Sequence, residues 1–420
     1  MKKITVSILG VGARGGEAYG KYISECKDKY EIVALCDLTE SKLEKYSALF
    51  GVNKENCFLS EEEFLKEKRS DVLVIATLDQ DHVRLAIKAI KLGYAILLEK
   101  PVSDKVEELL ELQNTAREYG ATVIVCHVLR YTVAIRKIKE LLDANKIGQL
   151  ISFDDLEQVA YWHYAHSYVR GNWRSSKDAT PMIMAKCCHD LDLMQYFAGS
   201  KCESLSSYGS LEYFKRENKP EGSADRCLNC KLKDTCAYSA KRIYIDGWKS
   251  NGMPQAWPYS VLSDKTLSED ELINSLQTTR YGECVFSGFN DVVDHQFVTA
   301  HFENGVTANL NMMAFTQGGG RIMRFFGTEG EIIYDESADH VTLKPFGKEN
   351  EVFVISQLTD DLTGHGGGDH RMIDAMYEVL NGKSSGADTS LERSIESHLM
   401  AIGAEKSRLS GGERVVIHKK

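Results

Sequence analysis

One stretch near the start constrains this 420-residue chain more than any other. A strand-like run, Ile4 to Leu9, breaks into Gly10-Val11-Gly12-Ala13-Arg14-Gly15 and passes straight into a helical pattern from about Arg14 to Ser24. A G-x-G-x-x-G between strand and helix lets the chain turn tightly, lets backbone N–H groups approach a pyrophosphate, and lets helix and strand pack closely. Asp37, at the end of the next strand-like run, is placed to accept hydrogen bonds from the ribose hydroxyls of an adenosine. With Leu38 and Thr39 next rather than an arginine, NAD is favoured over NADP, although Lys42 is a nearby cation. Gly10, Gly12, Ala13, Arg14, Gly15 and Asp37 are therefore the first cofactor-binding candidates.

The alternation continues beyond this unit. Strand candidates at Ile4-Leu9, Glu31-Cys36, Asp71-Ala76, Ala95-Leu98 and Thr122-Val125 are interleaved with amphipathic stretches such as Ser41-Phe50, His82-Leu92 and Lys105-Tyr119. Such βαβ repetition predicts an α/β domain with a doubly wound parallel sheet, a Rossmann domain over residues 1–129. Residues 130–420 read as an α+β domain for substrate and oligomerisation. A helical pattern at Val133-Ala144 opens it, and Leu150-Val159, Asp294-Glu303, Val306-Ala314 and Glu331-Asp335 predict a large, open, mainly antiparallel sheet. The turns Glu303-Asn304-Gly305 and Glu329-Gly330 suit hairpins, and Leu391 to Leu409 gives a last helix. Residues from about 206 to 282 carry turn clusters and cysteines and read as an irregular insertion.

In an open parallel sheet, ligands gather at the carboxyl ends of the strands. Thr77 and Asp79, past the third strand candidate, and His82, opening the next helix, lie there. His82 is read equally as a helix-start residue and as a cofactor contact.

The string Ala76-Thr77-Leu78-Asp79-Gln80-Asp81-His82, then Leu92-Gly93-Tyr94, then Leu98-Glu99-Lys100-Pro101 resembles the Gfo/Idh/MocA family of sugar and cyclitol dehydrogenases. The resemblance continues through Arg130, Gly148, Asn304-Gly305, Gly327-Thr328-Glu329-Gly330 and the final helix. It implies that Glu99 and Lys100 end a strand beneath the nicotinamide, with Lys100 reaching cofactor and substrate. A lysine there holds a hydroxyl and stabilises the alkoxide as hydride leaves. The family's second motif, D-x-x-x-H-x-x-D, is matched by His189 and Asp192, but Ala185 stands at the first aspartate position. Residues three apart share a helix face, so Lys186 is expected beside His189, taking over part of the missing role. His189 is the expected acid or base, and Lys100, His189 and Lys186 are the catalytic candidates.

Tyr161-Trp162-His163-Tyr164-Ala165-His166 and Gly171-Asn172-Trp173-Arg174 combine aromatic faces with hydrogen-bonding tips, which suits a sugar pocket. The same residue types also suit a subunit interface. Tyr161, His163, His166, Trp173 and Arg174 join Arg130, Asp192 and His365 as substrate-binding candidates, His365 from the glycine-rich loop Gly364-His365-Gly366-Gly367-Gly368-Asp369-His370. Cys227-Leu228-Asn229-Cys230 with Cys236 forms C-x2-C-x5-C, read evenly between a structural zinc, with an unnamed fourth ligand, and free thiols.

A formal charge of -10 removes the positive field that a broad nucleic-acid or anionic-membrane surface needs. The run after Met1-Lys2-Lys3 passes into glycines, Arg14 and Glu17 without a cleavage site, and the eleven cysteines are mostly scattered, so a cytoplasmic location is expected. Three functions remain open. The first is an NAD-dependent oxidoreductase acting on a secondary hydroxyl of a sugar, glycoside or cyclitol. The second is a glycoside-cleaving enzyme that keeps NAD bound, and the third is a non-catalytic NAD-binding sensor. A homo-oligomer, dimer or tetramer, is expected because an open sheet leaves a broad face needing cover.

Overall fold

The computed structural model describes residues 3–383 and 388–418, so Met1 and Lys2 lie outside it. The first domain is built on β1 (Ile4–Leu9), β2 (Tyr30–Cys36), β3 (Cys57–Phe58), β4 (Val72–Ile75), β5 (Ala95–Leu98) and β6 (Val123–Val125). All pair in parallel in the order β3-β2-β1-β4-β5-β6. Val72, Leu73, Val74 and Ile75 are all buried because helices cover both faces of a parallel sheet. The covering helices are α1, π-wound over Ala13–Gly20 and α-helical over Lys21–Glu25, then α2 (Glu40–Phe50), α3 (His82–Lys91) and α4 (Val106–Glu118). Their positions agree with the sequence reading within a residue or two. The two-residue β3 is too short for a hydrophobic period to reveal.

After α5 (Val133–Asp143) and β7 (Leu150–Val159) come α6 (Cys188–Ala198), β8 (Cys202–Ser210) and α7 (Glu269–Thr278). The chain continues with β9 (His295–Phe302), β10 (Thr307–Met313), β11 (Gly319–Gly327), β12 (Gly330–Asp335), β13 (His340–Pro345) and β14 (Glu351–Val354). It ends with α8 (Thr363–Leu380), α9 (Leu391–Leu409) and β15 (Val415–Val416). The nine strands form one sheet, β14-β13-β12-β11-β7-β10-β9-β8-β15. Every pairing is antiparallel except β10 with β7. That parallel pair arises because β9 and β10 return as a hairpin, turned at Gly305 with φ +88°, and insert beside β7.

Two features refine the expected segmentation. Ser206 to Ser210 belong to β8, and the helix α7, capped by the Ser268 hydroxyl accepting the Glu271 N–H, lies late in the presumed irregular stretch. The two domains also share cores. Met372, Ile373 and Met376 of α8 pack with Val6, Ile8 and Tyr30, while Leu391 and Ile395 of α9 pack with Ile75, Leu98 and Val125 on the other face. The last two helices thus buttress the first domain and hold the second sheet against its carboxyl edge. Among the described residues no helix is long and apolar enough to cross a membrane.

Candidate active site

The glycine turn shows why each glycine is there. Gly10 has φ +91°, and a Cβ on it would lie 2.5 Å from the Ala76 carbonyl oxygen. A Cβ on Gly15 would lie 2.0 Å from the Gly10 carbonyl oxygen, so only glycine lets α1 come this close to the turn. A Cβ on Gly12 would meet nothing within 4 Å, leaving open space above the start of α1, where the aligned N–H groups favour an anion. Asp37 takes the Val11 N–H on one oxygen and the Thr39 N–H on the other, each at 2.9 Å. The carboxylate is thereby fixed at the end of β2 with lone pairs left for ribose hydroxyls. These residues fit a dinucleotide.

Arg14 is held by side chains beside the glycine turn. Its guanidinium bonds Glu99 and Asp369, both at 2.7 Å, and also donates to the Tyr19 hydroxyl. Tyr19 in turn donates to Glu99. Burial works to raise the Glu99 carboxyl, but the Arg14 and Lys100 charges and these hydrogen bonds outweigh it and hold Glu99 below its ordinary value. Asp369 is held down by the same balance, with burial opposed by Arg14 and His365. The cluster ties α1, the end of β5 and α8 together beside the cofactor cradle.

At the carboxyl edge, Thr77 follows β4, and Asp79 is buried, accepting from the Trp173 indole at 3.2 Å and the Thr180 hydroxyl at 3.3 Å. Burial raises the Asp79 carboxyl against the pull of the His82 and Lys100 charges. His82 is buried with Nδ1 2.7 Å from the Pro101 carbonyl oxygen and Nε2 3.3 Å from that of Thr77. It braces the Lys100-Pro101 segment, which favours its reading as a helix-start residue. Lys100 donates from Nζ to the Ala185 carbonyl oxygen at 3.0 Å. The main chain at the substituted position thus receives the ammonium, with no carboxylate side chain there.

His189 lies in the first turn of α6. Its Nδ1 is sealed without a hydrogen-bond partner, its ring is 5.8 Å from His127 and 6.4 Å from His365. Burial first, then the Lys100 charge, holds its imidazole well below the ordinary value, so it stands neutral. Lys186 is not on its helix face. The helix Met182–Ala185 ends there, and α6 begins at Cys188, so the expected spacing of three along one helix is interrupted. Lys186 instead pairs with Glu157 at 3.0 Å and sits among the charges felt by His163. Glu157 also faces Arg321 at 2.7 Å, and Arg321 bonds Asp190 at 2.6 Å. Asp155, beside them on β7, is buried with both carboxylate oxygens unpartnered.

The other substrate candidates divide. His163 is half-buried near Lys186, His166, Lys100 and His365, and Trp173 reaches Asp79, so both stand near the segment that carries Lys100. Tyr161 is half-buried, its ring 6.0 Å from Tyr238. His166 is buried, bonding the Tyr244 hydroxyl at 2.9 Å and stacked on Tyr281. Arg174 pairs with Glu283 at 3.2 Å. Arg130 and Asp192 hold each other through two bonds of 2.7 Å, both buried, and a further arm of Arg130 donates to the Asp388 carbonyl. His365, with φ 45°, bonds Asp369 at 3.0 Å and faces His189. His127, Tyr19, Arg321 and Glu157 were not read from the sequence as site residues, since no motif spacing marks them.

Of the two even readings of the cysteine cluster, the structural zinc gains no support. Among the described residues no group of three or more His, Cys, Asp or Glu side chains is arranged to hold a metal ion. Cys227, Cys230 and Cys236 line a small cavity with Cys284 and Arg170, and all eleven cysteines are free thiols.

Residues 4–127 match the family described as oxidoreductase family, NAD-binding Rossmann fold, and residues 139–412 match its C-terminal alpha/beta domain. The chain is 24% identical over 417 residues to the protein YteT of Bacillus subtilis (strain 168), covering 92% of this chain and 93% of that one. It is 23% identical over 337 residues to the scyllo-inositol 2-dehydrogenase (NAD(+)) of the same organism, covering 73% and 93%. The WlbA dehydrogenase of Bordetella pertussis, solved with NADH and UDP-GlcNAcA, superposes with a TM-score of 0.69 at 15% identity over 100% of both chains, a likeness of fold.

Proposed function

Because the chain belongs to the Gfo/Idh/MocA family of NAD-binding oxidoreductases, we propose that it transfers hydride between NAD and a secondary hydroxyl of a sugar, glycoside or cyclitol. The observation that carries this reading is the position of Lys100, at the end of β5, with its ammonium 3.0 Å from the Ala185 carbonyl in the segment that leads to His189. Bound along the glycine turn, NAD supplies the hydride acceptor. Lys100 binds the substrate oxygen and stabilises its developing negative charge, which is worth most in a site shielded from water. His189 takes the hydroxyl proton on its imidazole and returns it in the reverse direction. Trp173 and His163 border the ring that carries this hydroxyl, and Lys186 adds positive charge at their side. A small polar substrate and a cytoplasmic setting belong to this reading. We also propose that copies of the chain pair through the outer face of the nine-stranded sheet.

A screen of sugars, glycosides and cyclitols with NAD should give NADH in proportion to substrate consumed. Silence across that panel with bound cofactor, or undiminished turnover by His189→Ala, would defeat the assignment.

One observation favours a second reading, in which NAD stays bound and is recycled while a glycosidic bond is eliminated. The Arg14 pair with Asp369 ties α8 to the start of α1, beside the turn where NAD would lie, and would slow cofactor exchange. Cleavage of a chromogenic glycoside without net NADH distinguishes it from simple dehydrogenation.

A further inference from the structure

The insertion between β8 and β9 returns one aromatic side chain to the pocket wall. Trp257 lies over the segment that carries Trp162, His163 and His166, with ring centroids 5.6 Å, 5.0 Å and 5.5 Å away. It meets both imidazoles edge to face, so packing fixes its plane. Yet Trp257 is 41% exposed, and Trp162 and His163 are only half-buried. Among the described residues none hydrogen-bonds the indole N–H of Trp257 or Trp162, or either ring nitrogen of His163. The result is two indole surfaces and three sets of unspent polar atoms around one opening.

A chain of contacts fixes where this opening stands relative to the chemistry. Asp79 accepts from Trp173 at 3.2 Å, Trp173 lies 6.4 Å from Tyr168, and Tyr168 lies 6.1 Å from His163. Lys100 is among the charges felt by both Asp79 and His163. His163 therefore feels the Lys100 ammonium and touches Trp257. Charge does not select an anion here. Lys186 is engaged by Glu157 at 3.0 Å, and Arg170, four residues after His166 and buried, gives Nε and Nη2 to the Glu283 and Tyr238 carbonyls at 2.8 Å each. Flat apolar faces with neutral donors and acceptors instead match a pyranose, whose C–H face stacks while its hydroxyls need partners.

We propose that Trp257, Trp162 and His163 form a second ring-binding subsite, which holds a sugar unit joined by a glycosidic bond to the one that Lys100 and His189 act on. This rests on the reading of the Lys100–His189 centre as a sugar site, and it makes a glycoside or disaccharide the preferred substrate over a free monosaccharide.

The test reads binding apart from turnover. Full-length NAD-loaded protein, wild type, Trp257→Ala and Trp257→Phe, is titrated calorimetrically with methyl glycosides of the common neutral, amino and acidic hexoses and with their matched disaccharides. In the wild type the best disaccharide should bind about tenfold tighter than its methyl glycoside, the scale of one good ring-stacking contact. Trp257→Ala should remove most of that ratio, and Trp257→Phe should retain most of it, with NAD affinity held in both as proof of folding. An unchanged ratio in Trp257→Ala, or a wild type that gains nothing from the second ring, overturns the subsite while leaving the sugar site standing. Absence of binding by any member of the panel to NAD-loaded wild type defeats the reading of the centre itself.

Discussion

Burial lowers the proton affinity of His127, His189 and His398 alike, and takes His398 down to about 3. In the unfolded chain each protonates near the ordinary value of about 6.5. As pH falls through that value the unfolded state therefore binds protons that the native state refuses, and stability drops until the folded value is reached. The slope is up to about 1.4 kcal/mol per pH unit for each histidine. His127 offers the clean test, because both its ring nitrogens are buried without hydrogen-bond partners. His127→Phe should flatten the fall in urea midpoint between neutral and mildly acid pH by one histidine's share; an unaltered slope would remove His127 from the account. Asp155 has the opposite sign. Burial, reinforced by the Asp190 charge, raises its carboxyl well above the ordinary value, so its stabilising contribution is lost as pH rises. At the reaction centre, His189→Ala should lower kcat by about 10²–10⁴ while NAD affinity is kept, as expected for loss of a general base.

Among the elements, the cradle of β1, the glycine turn and α1 is where sequence and structure agree most closely. Strand period, glycine spacing and Asp37 are local signals, and each has a local cause in the geometry. Gly10→Ala tests that cause directly: at φ +91°, with a Cβ 2.5 Å from a backbone oxygen, it should cost more than about 1 kcal/mol and weaken NAD binding measured by fluorescence titration. What escaped the sequence was set by partners distant along the chain. Lys186 and His189 read as neighbours on one helix face, and no residue between them is a strong breaker; the interruption before Cys188 places Lys186 against Glu157 of β7. Arg130 and Asp192 looked like ligand groups because each is polar and lies near a motif, but they are 62 positions apart and satisfy one another. Cutting that pair with Asp192→Ala should cost about 3–5 kcal/mol, since it strands a buried guanidinium. The cysteine spacing matched a metal knuckle, but a metal needs a complete convergent ligand set, and among the described residues none forms.

For the whole molecule, the decisive asymmetry is between the two faces of the nine-stranded sheet. Its inner face carries the core, with Phe153, Val298, Leu310, Met323 and Phe325 all buried. On the outer face, side chains in register across five strands run Tyr208, Phe297, Asn311, Leu156 and Ile322. Tyr208, Phe297 and Ile322 are 63%, 47% and 36% exposed, which makes a nearly continuous apolar band of the kind that marks an association surface. Strand period alone predicts alternation, with polar residues outward; large apolar groups at these outward positions are what calls for a partner. Two copies related by a two-fold axis could lay this band against itself, since an isologous contact uses the same patch twice. Phe297→Asp combined with Ile322→Asp should then convert the assembly to monomers in sedimentation velocity, because charges placed opposite their own copies are repelled and desolvated. NAD affinity should survive, as the glycine turn is in the other domain. A wild type that sediments as a monomer at micromolar concentration would show that this face meets no second copy.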